Sequence, residues 1–376
     1  MNSPQTIAAR QTKPTCPPDN KAPLARVAKR NTIPMHQAWF IRGAGLLMAL
    51  LVGSLLIMAL GHHPVAVYRE MIKSAFGSRI GFNETVRITV PLLGSALAVG
   101  MAFKMRFWNI GAEGQILVGA MAATYFALFQ FQALPRTVLL VTMGLAAAVA
   151  GGLWGLIPAF FRAKWGTNET LFTLMLNYVA FGMLLYLQAG PWRRAGSDFP
   201  IIDMFDRAAR LPRVGGIHIG WILVLLLTVL VYIYMKHSKQ GYQLTVVGQS
   251  ENTARYAGMN VSRIIMRTMI LSGAIAGFVG FLQVSGANNT LNESTAGGIG
   301  FTAITVAWLS QLNPLIMMLV AAFIAVLQRG SIRIQTIFAI PATIATVLIG
   351  IILFFMLACE FFINYRIVFR RKGAQD

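Results

Sequence analysis

The feature that most constrains this chain is a succession of apolar segments between residues 43 and 362. A helix needs about 20 predominantly apolar residues to cross the hydrocarbon core of a bilayer. Only 12% of the residues are charged, about half of the roughly 25% typical of soluble domains. The chain therefore has too little polar surface to cover a water-soluble body, and we predict an all-α polytopic membrane protein. The predicted spans are Gly43–Gly61, Ile88–Phe103, Asn109–Phe129, Thr137–Phe161, Leu171–Gln188, Ile219–Met235, Ile265–Gly286, a pair at Phe301–Gln311 and Leu315–Leu327, and a last span within Thr336–Phe362.

The pair is interrupted by Asn313-Pro314, which predicts a broken or re-entrant element. Counting both halves gives about ten transmembrane helices, within a range of 8–11. An even number places both basic termini on the cytoplasmic side, as the positive-inside rule favours. We predict a disordered basic cytoplasmic tail at 1–38, a transmembrane domain at 39–365 with a cytoplasmic loop at 236–264, and a second basic tail at 366–376. The arginine-rich loop 190–216 opposes this topology, because the same count places it outside.

The sequence also excludes several kinds of activity. The formal charge of +20 is concentrated in segments that flank apolar spans, which favours cytoplasmic loops over a nucleic-acid site. The chain contains no Gly-Lys dipeptide, so it lacks the phosphate-binding loop of P-loop NTPases. Neither the histidines nor Cys16 and Cys359 have the spacing of a catalytic or metal-binding set. We predict that the chain is not an enzyme and binds no cofactor itself.

Two segments bring polar side chains into apolar surroundings. Glu113 lies between Gly111 and Gly114, in the run from Asn109 to Gln115. A carboxylate at bilayer depth is costly and faces protein or water, so this run predicts a broken segment that lines a polar cavity. The other interpretation is that Glu113 caps the third helix at the cytoplasmic mouth.

Asn177 is the second intrusion, in the fifth predicted span. Asn168 and Glu169 form the predicted start of that span, as cap and first-turn acid. Asn177 lies deeper and requires a hydrogen-bonding partner, which is either a neighbouring helix or a permeant solute.

The loop Gly241–Arg263 carries the signals of a short capped helix. We predict that Gly248 ends a short extended stretch and that Ser250 or Asn252 caps the helix that follows. Gly258 would terminate it. A helix of this kind docks into a groove on a soluble partner; the other interpretation is a connecting loop that lies on the membrane surface. Its predicted residues are Asn252, Ala254, Arg255, Tyr256, Ala257 and Gly258.

A weak internal similarity relates Leu92–Gly100 to Leu271–Gly280. Each segment precedes a glycine-containing polar break and another apolar span, a pattern that would fit an internally repeated transporter core. Chance matches between short Gly/Ala segments would give the same pattern.

Together, four segments resemble the permease subunits of bacterial ABC importers, in the nucleoside and simple-sugar branch related to ribose and branched-chain amino acid permeases. They are NIGAEGQ (Asn109–Gln115), TLMLNY (Thr173–Tyr178), VGQSENTARYAGMNVSR (Val247–Arg263) and SGAIAGFVG (Ser272–Gly280). The resemblance covers residues 40 to 365. It departs from the family pattern at Ser310-Gln311-Leu312 and at Ile349-Gly350, which lie in the second half of the expected path.

The resemblance implies a type II importer permease in the bacterial inner membrane, which imports a nucleoside or a simple sugar. It implies three partners: a cytoplasmic ABC ATPase that binds the ATP, a second and non-identical permease subunit, and a substrate-binding lipoprotein or periplasmic protein. The helix at Ala254–Gly258 would be the coupling helix, and Asn109, Glu113, Gln115 and Asn177 would line the path or its polar break. The alternative function is an ion-coupled secondary transporter, for which Glu113 is the titratable candidate.

Overall fold

A computed structural model describes residues 25–29, 35–130 and 133–369. The chain is almost entirely helical, with two small antiparallel strand pairs. The elements are β1 (Ala25–Lys29), α1 (Met35–Ala59), α2 (Pro64–Phe76), α3 (Arg79–Lys104), α4 (Ala112–Phe129), α5 (Arg136–Trp165), α6 (Glu169–Ala189), β2 (Arg213–Val214), β3 (Ile217–His218), α7 (Gly220–His237), α8 (Lys239–Gln249), α9 (Glu251–Tyr256), α10 (Val261–Leu282), α11 (Ile299–Leu309), α12 (Pro314–Phe338), α13 (Ala342–Asn364) and β4 (Tyr365–Phe369).

Within these described ranges, nine helices are long and apolar enough to cross a membrane. The 11-residue helix α11 is too short to cross alone, but together with the irregular segment before it the chain makes a tenth passage. The predicted all-α polytopic fold is thereby confirmed, including an element that is broken inside the membrane. The break lies before α11, however, and the predicted break at Asn313-Pro314 is wrong, because this pair forms the turn between α11 and the full-length span α12.

The centre of the bundle is the antiparallel pair α3 and α10. The hydroxyl of Ser272 donates to the carbonyl oxygen of Ala98 at 2.7 Å, and Gly94 packs against Val279 nearer the other end. Most of the apolar windows of both helices are buried inside the protein. These two helices form the frame that positions the shorter elements around them.

Glycines bring α4, α5 and α10 into close contact. A methyl group added at Gly277 would overlap the carbonyl oxygen of Ala147, and one added at Gly119 would overlap the backbone of Gly277. In lipid no hydrophobic effect drives helices together, so close backbone approach through small residues provides the packing energy. Gly119 and Gly277 are therefore packing residues.

The two segments of similar sequence, 92–100 in α3 and 271–280 in α10, occupy equivalent positions in helices that run in opposite directions. α3 is followed by a polar break and α4, and α10 is followed by an irregular segment and α11. α4 runs parallel to α10, since Gly119 contacts Gly277 and Ala120 contacts Gly280. α11 runs parallel to α3, because its start lies near Pro91 and its end near Phe103. This is the arrangement of inverted repeats in transporters.

Several predicted boundaries are wrong because tertiary contacts extend the helices. The predicted span Ile88–Phe103 is the later part of α3. The first turns of α3 are too polar to be recognised as part of a span from their hydropathy. The predicted half-helix Leu315–Leu327 is the first part of α12, whose later turns carry Arg329 and Arg333. Arg333 lies 4.0 Å from Glu70 of α2, a short helix that the hydropathy pattern did not reveal.

The extended stretch predicted before Gly248 is also wrong, because residues 239–249 form α8. The hydroxyl of Ser238 accepts a hydrogen bond from the amide of Gly241 and caps this helix. Leu244 and Val247 pack in a cluster with Met105. Burial of this face outweighs the preference of the β-branched residues for a strand.

The first and last described strands lie at the same face of the bundle. β1 pairs antiparallel with β4, and the guanidinium of Arg42 in α1 lies 2.7 Å from the carboxylate of Glu360 in α13. Residues 25–29 of the predicted disordered tail thus form a strand, whose partner is too distant in sequence for a local pattern to reveal. Residues 1–24 and 30–34 of that tail, and residues 370–376, lie outside the described residues.

Candidate functional site

The segment 105–111, which we call the polar break, separates α3 from α4. Asn109 and Gln115 are fully buried there. Their side-chain amides are joined by two hydrogen bonds of 3.2 Å, and Asn109 also donates to the hydroxyl of Ser272 at 3.3 Å. These three side chains satisfy one another at membrane depth, where an unpaired amide would be costly. Asn109 and Gln115 therefore hold the polar break in place.

Asn177 of α6 holds the other side of the polar break. Its oxygen accepts from the amide of Gly114 at 2.9 Å, and its nitrogen donates to the carbonyl oxygen of Ile110 at 2.9 Å. One turn earlier, the hydroxyl of Thr173 accepts from the amide of Ile110 at 3.2 Å. Of the two partners considered for Asn177, the structure provides the neighbouring helix.

Glu113 joins the starts of α4 and α11. One carboxylate oxygen accepts from the amide of Gly298 at 2.7 Å, and the other accepts from the amide of Gly300, also at 2.7 Å. Glu113 thus caps the start of α11 while it occupies the first turn of α4. Both helix N-termini carry partial positive charge, which favours a carboxylate between them. Short, charge-assisted bonds of this kind are roughly twice as strong as neutral ones.

The depth of Glu113 distinguishes between the two interpretations of this residue. Ile299, next to its hydrogen-bonding partners, shares a small cavity with Pro91 and Leu92. These two residues lie at the middle of α3, which runs from Arg79 to Lys104. The carboxylate is therefore at the centre of the bundle and not at either end of it. It is the one member of the predicted set that remains partly exposed.

Two exposed tryptophans lie beside the polar break. Trp108, in the polar break itself, and Trp308, in the last turn of α11, stack with ring centroids 5.6 Å apart and an interplanar angle of 27°. Phe103 packs against both rings. Each tryptophan leaves more than two fifths of its surface exposed. The pair therefore presents an aromatic surface near the end of α3, where the polar break begins.

The small cavity that Ile299 shares with Pro91 and Leu92 has a volume of about 150 Å³ and is partly polar. It is lined by Arg87, Gln283, Asn288 and Gln328, and Gln283 and Asn288 belong to a π-helical turn that ends α10. Such turns are rare and frequent at functional sites. Sequence reasoning missed this cavity; the only signal was the polar character of Gln283 and Asn288 at the end of an apolar span.

The predicted short helix is present as α9, at the face that also carries the chain termini. Ser250 is its cap, since its hydroxyl accepts from the amide of Thr253 at 3.2 Å, and Gly258 follows it with φ of +74°. Ala254 is buried, whereas Tyr256 is 93% exposed. The exposed members are Asn252, Arg255, Tyr256, Ala257 and Gly258.

Two contacts anchor α9 to the bundle. The guanidinium of Arg162, at the end of α5, lies 3.5 Å from the carboxylate of Glu251 and 3.4 Å from that of Glu169. On the other side, Gly248 at the end of α8 packs directly on the backbone of Lys104, at the end of α3. A displacement of α9 would thus be transmitted to α5 and to the helix that precedes the polar break.

The structure groups the predicted residues into two sites. Asn109, Glu113, Gln115 and Asn177 form one cluster at the polar break. The α9 residues form a separate exposed surface, connected to that cluster through α3. The partners that complete the first cluster, which are Ser272, Gly298 and Gly300, were not predicted, because they are distant in sequence.

Comparison with known proteins gives a consistent result. The profile of a family described as the permease component of branched-chain amino acid transport systems matches residues 84–357. The glucose ABC transporter permease protein of Haloferax volcanii is 34% identical, over 92% of this chain and 94% of the relative. The guanosine ABC transporter permease protein of Bacillus subtilis is 30% identical, over 88% and 96%. The nucleoside ABC transporter permease protein of Lactococcus lactis subsp. cremoris is 29% identical, over 84% and 89%.

Proposed function

The chain belongs to the family of permease components of branched-chain amino acid transport systems, and from this premise we propose that it forms the translocation path for nucleosides or simple sugars. It is a multi-pass membrane protein and a permease subunit of an ABC transporter, not an ion-coupled carrier or an enzyme. The observation that carries the proposed path is the position of the Glu113 carboxylate, which lies between the starts of α4 and α11 at the centre of the bundle.

The chemistry of the exposed face supports this class of substrate. Nucleosides and sugars are neutral, polar solutes, which require hydrogen-bonding groups and flat apolar surfaces. Glu113 provides a partly exposed carboxylate at the centre of the bundle, and the Trp108–Trp308 pair provides an aromatic surface nearer the end of α3. The relatives whose names include guanosine, nucleoside or glucose span both substrate classes.

Association with an ATPase and a substrate-binding protein follows from membership of the family. We assign the ATPase to α9, because this helix is exposed, capped and connected to α3 and α5. In our proposal the ATPase binds the nucleotide, and this chain binds no cofactor. A second, non-identical permease subunit completes the path, and a lipoprotein or periplasmic protein delivers the solute at the opposite face.

We assign the face with α9 and both chain ends to the cytoplasm, and the protein to the bacterial inner membrane. Loop 190–216 then lies outside. Its residues pack at the far end of α10, where the amide of Leu211 donates to the carbonyl oxygen of Ser285 at 3.0 Å. The arginines of this loop oppose the positive-inside rule, but the rule is weaker for longer loops.

Uptake measurements test the proposal. The complete transporter would be expressed in cells that lack nucleoside uptake, and radiolabelled nucleosides and sugars would be offered separately. We expect uptake to disappear when the ATPase subunit is inactivated and to persist when a protonophore is added while ATP is kept high. Uptake that persists without the ATPase would contradict the energy source. Uptake of neither class of solute would contradict the proposed substrate.

A further inference from the structure

An apolar groove opens between α5 and α7 at the end of the bundle opposite α9. Its volume is about 630 Å³, within the range of about 300–1,000 Å³ that ligand sites occupy. Val141 and Leu145 are more than half exposed at its opening. We call it the outer groove. Leu140, Val141, Leu145, Leu223, Phe278 and Phe281 form its apolar wall.

The length of the outer groove matches one leaflet of a bilayer. Along α5 it extends from Arg136 to Ala148, a separation of 12 residues, or about 18 Å at a rise of about 1.5 Å per residue. Half of a hydrocarbon core is about 15 Å thick. An acyl chain in this groove would therefore extend from the headgroup level to about the bilayer centre.

The charges at the mouth of the outer groove are positive. Arg136 lies at the first turn of α5, and its guanidinium donates to the carbonyl oxygen of Arg210 at 3.2 Å. Within residues 133–369, no salt bridge joins Arg136 to a carboxylate. Two acids of the adjoining loop have other partners, since Asp203 pairs with Arg194 at 3.0 Å and Asp206 accepts from the amide of Ala208 at 3.0 Å.

We propose that the outer groove binds an anionic phospholipid, with one acyl chain along α5 and the phosphate against Arg136. Three observations support this occupant. The groove opens between membrane-spanning helices, and its length fits one leaflet. Among the described residues of its wall, the charged side chain is that of Arg136, a cation at the headgroup level. This inference does not depend on which solute the transporter carries.

Native mass spectrometry of the complete transporter tests the headgroup preference. The purified complex would be incubated with detergent micelles that contain phosphatidylglycerol or phosphatidylcholine. We expect phosphatidylglycerol to be retained about fivefold more than phosphatidylcholine, the factor equivalent to about 1 kcal/mol for one basic residue at an anionic surface. Arg136→Gln should remove this preference and Arg136→Lys should preserve it. Arg207→Gln is the matched control and should behave like wild type, because Arg207 is an exposed arginine of the adjoining loop and does not line the groove.

Equal retention of the two lipids by wild type, or an unchanged preference in Arg136→Gln, would overturn the proposal. A photo-crosslinking residue at position 145 tests the occupant directly. We expect a crosslink to phospholipid, identified by its mass. A crosslink to the companion permease would show that protein covers the outer groove and would also overturn the proposal.

Discussion

At the residue scale, Glu113 shows why a carboxylate persists at bilayer depth. Its cost is offset because both oxygens accept short hydrogen bonds from the start of α11. The positive ends of α4 and α11 add favourable electrostatics. Glu113 therefore connects α4 to α11, and it is also the proposed polar group of the path.

Replacement of Glu113 should destabilise the permease in a graded manner. Glu113→Gln retains one acceptor oxygen and Glu113→Ala retains none, and each unpaired buried amide costs about 1–3 kcal/mol. We expect the thermal unfolding midpoint of the purified transporter to fall in the order wild type, Glu113→Gln, Glu113→Ala, with uptake following the same order.

The control is Glu84→Gln, because Glu84 pairs with Arg87 at 3.5 Å on the surface of α3. Exposed ion pairs contribute about 0–1 kcal/mol, so this variant should melt close to wild type. A Glu113→Ala transporter that melts like wild type would contradict the capping role.

Gly277 tests the packing of the helix triad formed by α4, α5 and α10. Gly277→Ala places a methyl group against the carbonyl oxygen of Ala147, and overpacking of this kind costs about 1–3 kcal/mol. We expect lower thermal stability of the purified protein. Gly182→Ala in α6, where no neighbour lies within 4 Å, is the matched control and should be neutral. Equal stability of the two variants would argue against tight packing at Gly277.

At the element scale, α9 combines a fixed base with an exposed apex. Ala254 is buried beneath it, and Arg162 holds its first turn through Glu251. Tyr256 and Ala257 point away from the bundle. A helix held in this way can transmit a displacement at its apex to α3 and α5, which is the role we propose for it.

A bulky side chain at the apex of α9 should disrupt ATPase docking without affecting insertion. Ala257→Trp leaves the Ser250 cap and the left-handed Gly258 unchanged, so the helix itself should persist. We expect less ATPase to copurify with the permease and solute uptake to fall at least tenfold, the factor for a loss of about 1.4 kcal/mol of interaction. The amount of permease in the membrane should not change.

Ala195→Trp makes the same substitution in the exposed loop at the opposite face and should leave ATPase copurification intact. Normal ATPase copurification and uptake in Ala257→Trp would indicate that α9 does not form the docking surface.

At the scale of the whole molecule, β1, β4 and α9 define one face, and loop 190–216 defines the other. The β1–β4 pairing and the Arg42–Glu360 ion pair require an even number of passages between the ends. The half-helix α11 and its preceding segment provide the passage that the nine full spans of the described residues lack.

Thiol labelling in intact cells tests which face is cytoplasmic. In a background with Cys16→Ser and Cys359→Ser, a membrane-impermeant maleimide should label Ala195→Cys from outside. Asn252→Cys, equally exposed but on α9, should react only after the membrane is permeabilised. Labelling with the opposite sidedness would reverse the proposed topology.

The predictions that held concern properties of short segments. Spans followed from hydropathy, because transfer of about 20 residues into lipid depends chiefly on their own composition. The cap of α6 by Asn168 and the start of α9 at Ser250 also followed, since a cap bonds amides two or three residues away. The resemblance of NIGAEGQ and VGQSENTARYAGMNVSR to permease motifs led to the family that the comparisons establish.

Consecutive residues were enough to show that this chain crosses a membrane many times and belongs among transporter permeases, because apolar length and local motifs lie within short segments. The roles of its polar residues depend instead on contacts between distant parts of the chain. Glu113 is 185 residues from Gly298, and Asn109 is 163 from Ser272. Which groups meet at such separations depends on how whole helices pack. The depth of Glu113, the helical state of α8 and the outer groove all arise from that packing.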